Sequence, residues 1–158
     1  MIRLRVMRTD PRAKLPAYQT AGASGLDLHA LDVVSAHASE DGHRERYSLP
    51  RVLHVGESIL LGTGIAVALP EGHEGQVRGR SSLAAKWGVL ATLGTIDVDY
   101  RGEILVQLIA HCLPMSIHEG DRIAQLVVAP VARVAIFEVD ALDDTARGVG
   151  GIGSTGVR

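Results

Sequence analysis

Two aspartates and a tyrosine share one short stretch of this chain, GTIDVDYRGE at 94–103. Asp97 lies between Ile96 and Val98, beside the chain reversal that Gly94 predicts, and Tyr100 follows three residues later. A carboxylate in apolar surroundings is costly unless it is paired or used. Asp97 is therefore either a turn aspartate satisfied by backbone N–H groups or a base that takes a proton from water. A second polar island, GRSSLAAK at 79–86, opens a short helix. Arg80, Ser81 and Ser82 there offer a guanidinium, two hydroxyls and helix-terminal N–H groups, the parts of an anion cradle. The same residues also read as a double N-cap beside a surface arginine. The third island is the tail RGVGGIGSTG at 147–156. Its glycines allow close backbone approach to a phosphate, Ser154 and Thr155 donate, and Arg147 adds charge. On composition alone, however, it reads first as a disordered terminus. Two more islands, ASGLDLHA at 23–30 and GDRIAQL at 120–126, carry Asp27 and Gln125.

Other chemistries find little support. The tail is not a Walker A loop, because no GK[ST] follows its glycines, and no strand and helix flank it as a dinucleotide fingerprint requires. The seven histidines form no metal-ligand spacing, and the serines form no GxSxG elbow.

These islands need a scaffold. At 158 residues the chain is most simply one domain, long enough for one sizeable core. Aromatics are only 3%, so that core must be aliphatic. A net charge of −2 argues against a nucleic-acid surface, and any anionic ligand must be held by local cations. The single Cys112 excludes an intramolecular disulfide, reads as a buried hydrophobe, and fits a reducing compartment. No apolar run reaches the ~18 residues of a membrane span. The basic N-terminus lacks an apolar stretch of signal-peptide length, so a cytoplasmic location is expected, without membrane partners.

Runs at 58–69, 104–110, 122–129 and 131–139 are rich in Val, Ile and Leu and bounded by Gly, Pro, Asp or Glu. Short strands at this spacing, without alternating long helices, predict an all-β sandwich or barrel. The run 104–110 is apolar on both alternating faces except at Gln107, so a second sheet or subunit is expected to cover it twice. Helix is expected only after Ser81 or Ser82, ending at Gly88, with Trp87 packed beside it. The polar stretch 35–46 reads as an exposed loop, and beyond Asp143 there is little to bury.

In order and spacing the five islands resemble the motifs of the homotrimeric dUTP pyrophosphatases (dUTPases), from about Ala21 to Gly156. The resemblance implies a jelly-roll-like β domain at 1–142 and a mobile, glycine-rich C-terminal arm at 143–158. It implies a trimer with three shared active sites and the reaction dUTP + water → dUMP + pyrophosphate, with Mg²⁺ as cofactor. Limiting uracil in DNA and supplying dUMP for thymidylate synthesis would be its roles. Carried over, Asp97 is the carboxylate that deprotonates the attacking water. Tyr100 lies beneath the deoxyribose and leaves no room for a 2′-hydroxyl. Thr95 and Ile96 read the uracil edge. Arg80, Ser81, Ser82 and Gln125 hold phosphate oxygens, Ala91 and Leu105 line the substrate site, and Asp27 binds Mg²⁺ through water. Arg147, Gly151, Ile152, Gly153, Ser154 and Thr155 close over a neighbouring subunit's site. Ile152 departs from the family, which usually has an aromatic ring there to stack on uracil, an interaction worth roughly 1–3 kcal/mol per base. Ala91 departs more mildly, where many bacterial members carry Asn.

Two rivals remain. The related dCTP deaminases need a catalytic Glu where this chain has Gln107, and Gln cannot serve as acid–base. A non-enzymatic β trimer that only binds nucleotide would not need Asp97, Arg80 and Arg147 together.

Overall fold

A computed structural model describes residues 2–151 and Ser154. Twelve strands and one helix follow in order: β1 (Arg5–Arg8), β2 (Leu26–His29), β3 (Asp32–Ala38), β4 (Arg44–Tyr47), β5 (Arg51–Leu53), β6 (Ser58–Ala68), β7 (His73–Arg78), α1 (Ser81–Trp87), β8 (Val89–Ala91), β9 (Gly94–Ile96), β10 (Glu103–Ala110), β11 (Met115–Ile117) and β12 (Arg122–Pro130). One antiparallel sheet runs β4-β3-β6-β10-β8, with β1 also on β6; a second runs β2-β12-β7-β9, and β5 pairs with β11. The all-β expectation holds, and three of the four apolar runs became β6, β10 and β12.

The alternation rule explains the core. On β10, Ile104, Val106, Leu108 and Ala110 are buried, while Leu105 and Ile109 are half-buried and Gln107 is exposed. Only one face of β10 is therefore closed by its own chain. The buried face joins Leu61, Ile65 and Val67 of β6 and Leu28, Ile123 and Leu126 of the second sheet in one aliphatic cluster. The chain's single Phe, Phe137, is 82% exposed, so aromatic packing contributes nothing there.

Four local expectations are corrected. Residues 131–139 form no strand, and Val134, Ile136 and Phe137 are largely exposed. Composition favours a strand, but this stretch reaches no sheet edge of its own chain. Its last backbone tie among the described residues is Val131 N–H to the Gly72 carbonyl, 2.9 Å. The stretch 35–46 is exposed through most of its length but is not simply a loop, because β3 and β4 pair across it and reverse at 39–43. Arg80, not a serine, takes the N-cap position, and no side chain caps the helix. Cys112 is exposed rather than buried.

Gly88 ends α1 as expected, in the left-handed region at φ 62° and ψ 29°. A Cβ there would also lie 2.6 Å from Cys112 Cβ and 3.0 Å from its backbone nitrogen. Gly88→Ala should therefore cost about 1–2 kcal/mol for the backbone alone, and more for the displaced 112 backbone. Urea denaturation at fixed protein concentration measures it; a loss under 0.5 kcal/mol (roughly the limit for an indifferent surface change) would contradict this account.

Candidate active site

The hairpin between β9 and β10 carries the acidic motif. Ile96 is buried and anchors β9 against Gly75 of β7, and the chain then turns, with Tyr100 N–H donating to the Asp97 carbonyl at 3.1 Å. Thr95 and Asp97 are exposed. Among the described residues nothing donates to the Asp97 carboxylate, so it is not a turn aspartate held by backbone N–H groups. Tyr100, 41% exposed, donates its hydroxyl to the Glu103 carbonyl at 2.9 Å. Leu105 follows, half-buried, on β10.

The second group gathers where β2, β12 and the start of α1 meet. Asp27 is only 1% exposed. Its Oδ2 lies 3.2 Å from Arg122 Nη1, its Oδ1 accepts from Gln125 Nε2 at 3.0 Å, and Arg80 Nε is 3.8 Å from Oδ1. Strand pairing builds this cluster, since Gln125 stands opposite Asp27 on β2 and opposite Arg78 on β7. Arg80 also donates to the Arg122 carbonyl at 2.9 Å. One carboxylate thus faces two guanidiniums, which leaves a positive surplus suited to an anion. Ser81 and Ser82 are exposed at the helix start, and their N–H groups have no protein acceptor among the described residues. Ala91, at the end of β8, lies beside Gly79 just ahead of the cradle.

Arg122 was not foreseen as a cation of this cluster. Its signal was its place three residues before Gln125 in GDRIAQL, which puts it near Asp27 once β12 pairs with β2. His29 borders the same cluster. Burial first, then Lys14, Arg122 and Arg80, hold its imidazole below the ordinary range, against the opposing pull of Asp27.

Among the described residues, the cavity at Asp97 does not reach the cradle. A cavity of about 380 Å³ at Asp97 is lined by His73, Glu74, Val98, Asp99, Val131 and Arg133, and by none of the cradle residues. A larger cavity of about 570 Å³, between the β3–β4 hairpin and β6, contains no predicted site residue. The described part of the tail meets neither group: Arg147 Nε donates to the Gly150 carbonyl at 2.9 Å and Ser154 N–H to that of Gly151 at 3.1 Å. Ile152, Gly153 and Thr155 lie outside the described residues.

An exposed carboxylate on a tight hairpin and a cationic cradle on a β sandwich define a class of anion-binding all-β protein, and comparison with known proteins narrows it. The dUTPase family model matches residues 11–156. The deoxyuridine 5'-triphosphate nucleotidohydrolase of Nautilia profundicola is 44% identical, over 98% of this chain and 99% of its own length. A mutant dUTPase of Staphylococcus bacteriophage 80alpha, solved with dUpNHpp, superposes with a TM-score of 0.79 at 22% identity, over 98% of this chain and 99% of that one. A mutant dUTPase of phage phi11 of S. aureus, described with a structural Mg(II) ion, gives 0.73 at 20% identity, over 88% and 97%. The chain belongs to the dUTPase family and is an enzyme of that family.

Proposed function

We propose that this chain hydrolyses dUTP to dUMP and pyrophosphate at a site completed by neighbouring copies of itself, in the cytoplasm. The observation that carries the reading is the exposed Asp97 carboxylate, which has no donor among the described residues and stands on a turn fixed by buried Ile96. A carboxylate so placed can accept a proton from water as the oxygen attacks the α-phosphorus. The bond from that phosphorus to the bridging oxygen breaks, and pyrophosphate leaves. Thr95 and Ile96 offer backbone groups to the uracil, Tyr100 lies under the sugar, and Ala91 and Leu105 border the substrate. Arg80, Ser81, Ser82 and Gln125 bind the phosphate chain, and Arg147, Gly151, Ile152, Gly153, Ser154 and Thr155 close over it.

The donor set also suits a magnesium ion held mostly by the substrate. Both Asp27 oxygens already face protein donors, and among the described residues no cluster of three His, Cys, Asp or Glu side chains could hold a metal. Asp27 would then reach Mg²⁺ through water, while phosphate oxygens fill the direct positions. The ion would neutralise charge on the triphosphate. Domain limits of 1–142 and 143–158 follow the same reading, as does a role in limiting uracil in DNA and supplying dUMP for thymidylate synthesis. Cys112, a free thiol, suits the reducing compartment.

Three features support a shared site. Among the described residues, the cleft at Asp97 contains none of the cradle residues. Val134, Ile136, Phe137, Val139 and Leu142 are exposed, as apolar surface awaiting a partner is. The outer face of β10 is only half-covered. Light scattering should give three times the 16.7 kDa chain mass; a stable monomer with full activity would overturn the shared site. Pyrophosphate release from dUTP and dCTP, with an ammonia assay alongside, tests the activity. Ammonia from dCTP would favour the deaminase rival, and silence on both substrates the binding-only one.

A further inference from the structure

The β3–β4 hairpin is not an idle surface feature. Arg46 of β4 donates through Nη1 to both oxygens of Asp32, 2.9 Å each, and through Nη2 to Glu103 Oε2. Asp32 is 5% exposed while the Arg46 side chain is 42% exposed, so this is a part-buried pair. Glu103 Oε1 in turn accepts from Gly64 N–H at 2.5 Å. That amide belongs to an irregularity in the β6–β10 ladder, where Glu103 pairs with Ala66 but Leu105 pairs with Gly62. Gly64 adopts φ +65° there.

Close packing ties the group together. A Cβ at Gly62 would lie 2.8 Å from Glu103 Oε1 and 2.9 Å from Arg46 Nη1, and nearer still to Asp32 Oδ1. Three ionised groups thus converge on one bare glycine, joined by charge-assisted bonds of the strong kind.

Glu103 is also where the hairpin of Asp97 and Tyr100 rejoins the sheet. Tyr100 folds back over Gly102, whose Cβ would lie 2.5 Å from the ring Cζ, and its hydroxyl bonds the Glu103 carbonyl. The ring therefore stands on the backbone of 102–103, and Arg46 holds the side chain of 103.

We propose that Arg46 is a positioning residue for substrate selection: by tying Asp32 to Glu103 it fixes the backbone on which Tyr100 rests, and so sets how strictly a ribose is rejected. The proposal rests on Tyr100 lying beneath the sugar. Loosening the anchor lets the ring move, which opens room for a 2′-hydroxyl. Asp97 is carried on the far side of the turn, so the chemical step suffers less than the discrimination.

The test is steady-state kinetics on dUTP and UTP with Arg46→Met, Glu103→Gln and Tyr100→Ala. Arg46→Met should raise the UTP/dUTP ratio of kcat/KM about tenfold, short of the 10²-fold that a 1 Å misplacement can cost. KM for dUTP should rise while kcat stays within about threefold. Glu103→Gln leaves the Asp32–Arg46 pair intact and should move the ratio in the same direction. It carries the test if Arg46→Met fails to fold with Asp32 left unpaired. Arg46→Met combined with Tyr100→Ala should raise the ratio no further than Tyr100→Ala alone, because both act through one ring. If Tyr100→Ala raises the ratio but Arg46→Met and Glu103→Gln do not, the proposal is overturned and the reading of Tyr100 stands. A lower melting temperature with an unmoved ratio has the same meaning. If Tyr100→Ala leaves the ratio unchanged in a folded protein, the reading of Tyr100 fails and the proposal fails with it.

Discussion

Asp97→Asn is expected to leave a folded protein that binds a non-hydrolysable dUTP analogue and barely turns over dUTP. The amide keeps the size of the side chain and cannot accept the proton. A positioned base contributes about 10²–10⁴-fold, or about 2.7–5.4 kcal/mol at 1.36 kcal/mol per decade. The structure makes the variant informative. Asp97 is exposed and its carboxylate accepts no hydrogen bond among the described residues, so its replacement breaks no side-chain hydrogen bond there, and buried Ile96 still anchors the turn. A loss of turnover cannot then be attributed to unfolding. Titration calorimetry with the analogue and pyrophosphate release with dUTP separate binding from chemistry. Turnover within threefold of the unaltered protein would remove Asp97 from the mechanism.

How far the sequence could be read depended on how local each determinant was. β6 and β10 were legible because long runs of Ile, Leu and Val end at turn-forming residues. Residues 131–139 have the same composition, but a strand also needs an edge to join, and propensity says nothing about whether its own chain offers one. The hairpin over 35–46 was hidden for the opposite reason. Its polar residues are held by long-range bonds such as Arg46 to Glu103, and periodicity registers only burial. Site residues followed the same division. Asp97 and Tyr100 share a four-residue turn, so their spacing alone placed them together. Asp27 and Arg122 are 95 positions apart in sequence, and only the β2–β12 pairing joins them. The expected serine cap failed because Arg80, whose side chain docks on the Arg122 carbonyl and beside Asp27, already occupies the position.

Deleting residues 147–158 should collapse turnover while weak nucleotide binding survives. The deletion removes Arg147, the glycine loop and the hydroxyls of Ser154 and Thr155 together, but leaves Asp97, Arg80, Arg122 and Gln125 in place. Loss of one preorganised donor to developing negative charge typically costs 10²–10³ in kcat, so kcat/KM should fall by at least about 100-fold. The fold should not suffer. The described tail bonds only to itself, through Gly148 N–H to the Thr145 carbonyl and Arg147 to Gly150, and Val149 is wholly exposed. An unchanged melting temperature with lost activity is therefore the expected pair of results. Whatever activity remains should still discriminate against UTP, because Tyr100 and its support at Glu103 lie in a different element. If truncation leaves kcat/KM intact, the tail is no more than the disordered terminus that its composition first suggests, and Arg80 and Arg122 are the side-chain cations that meet the phosphates.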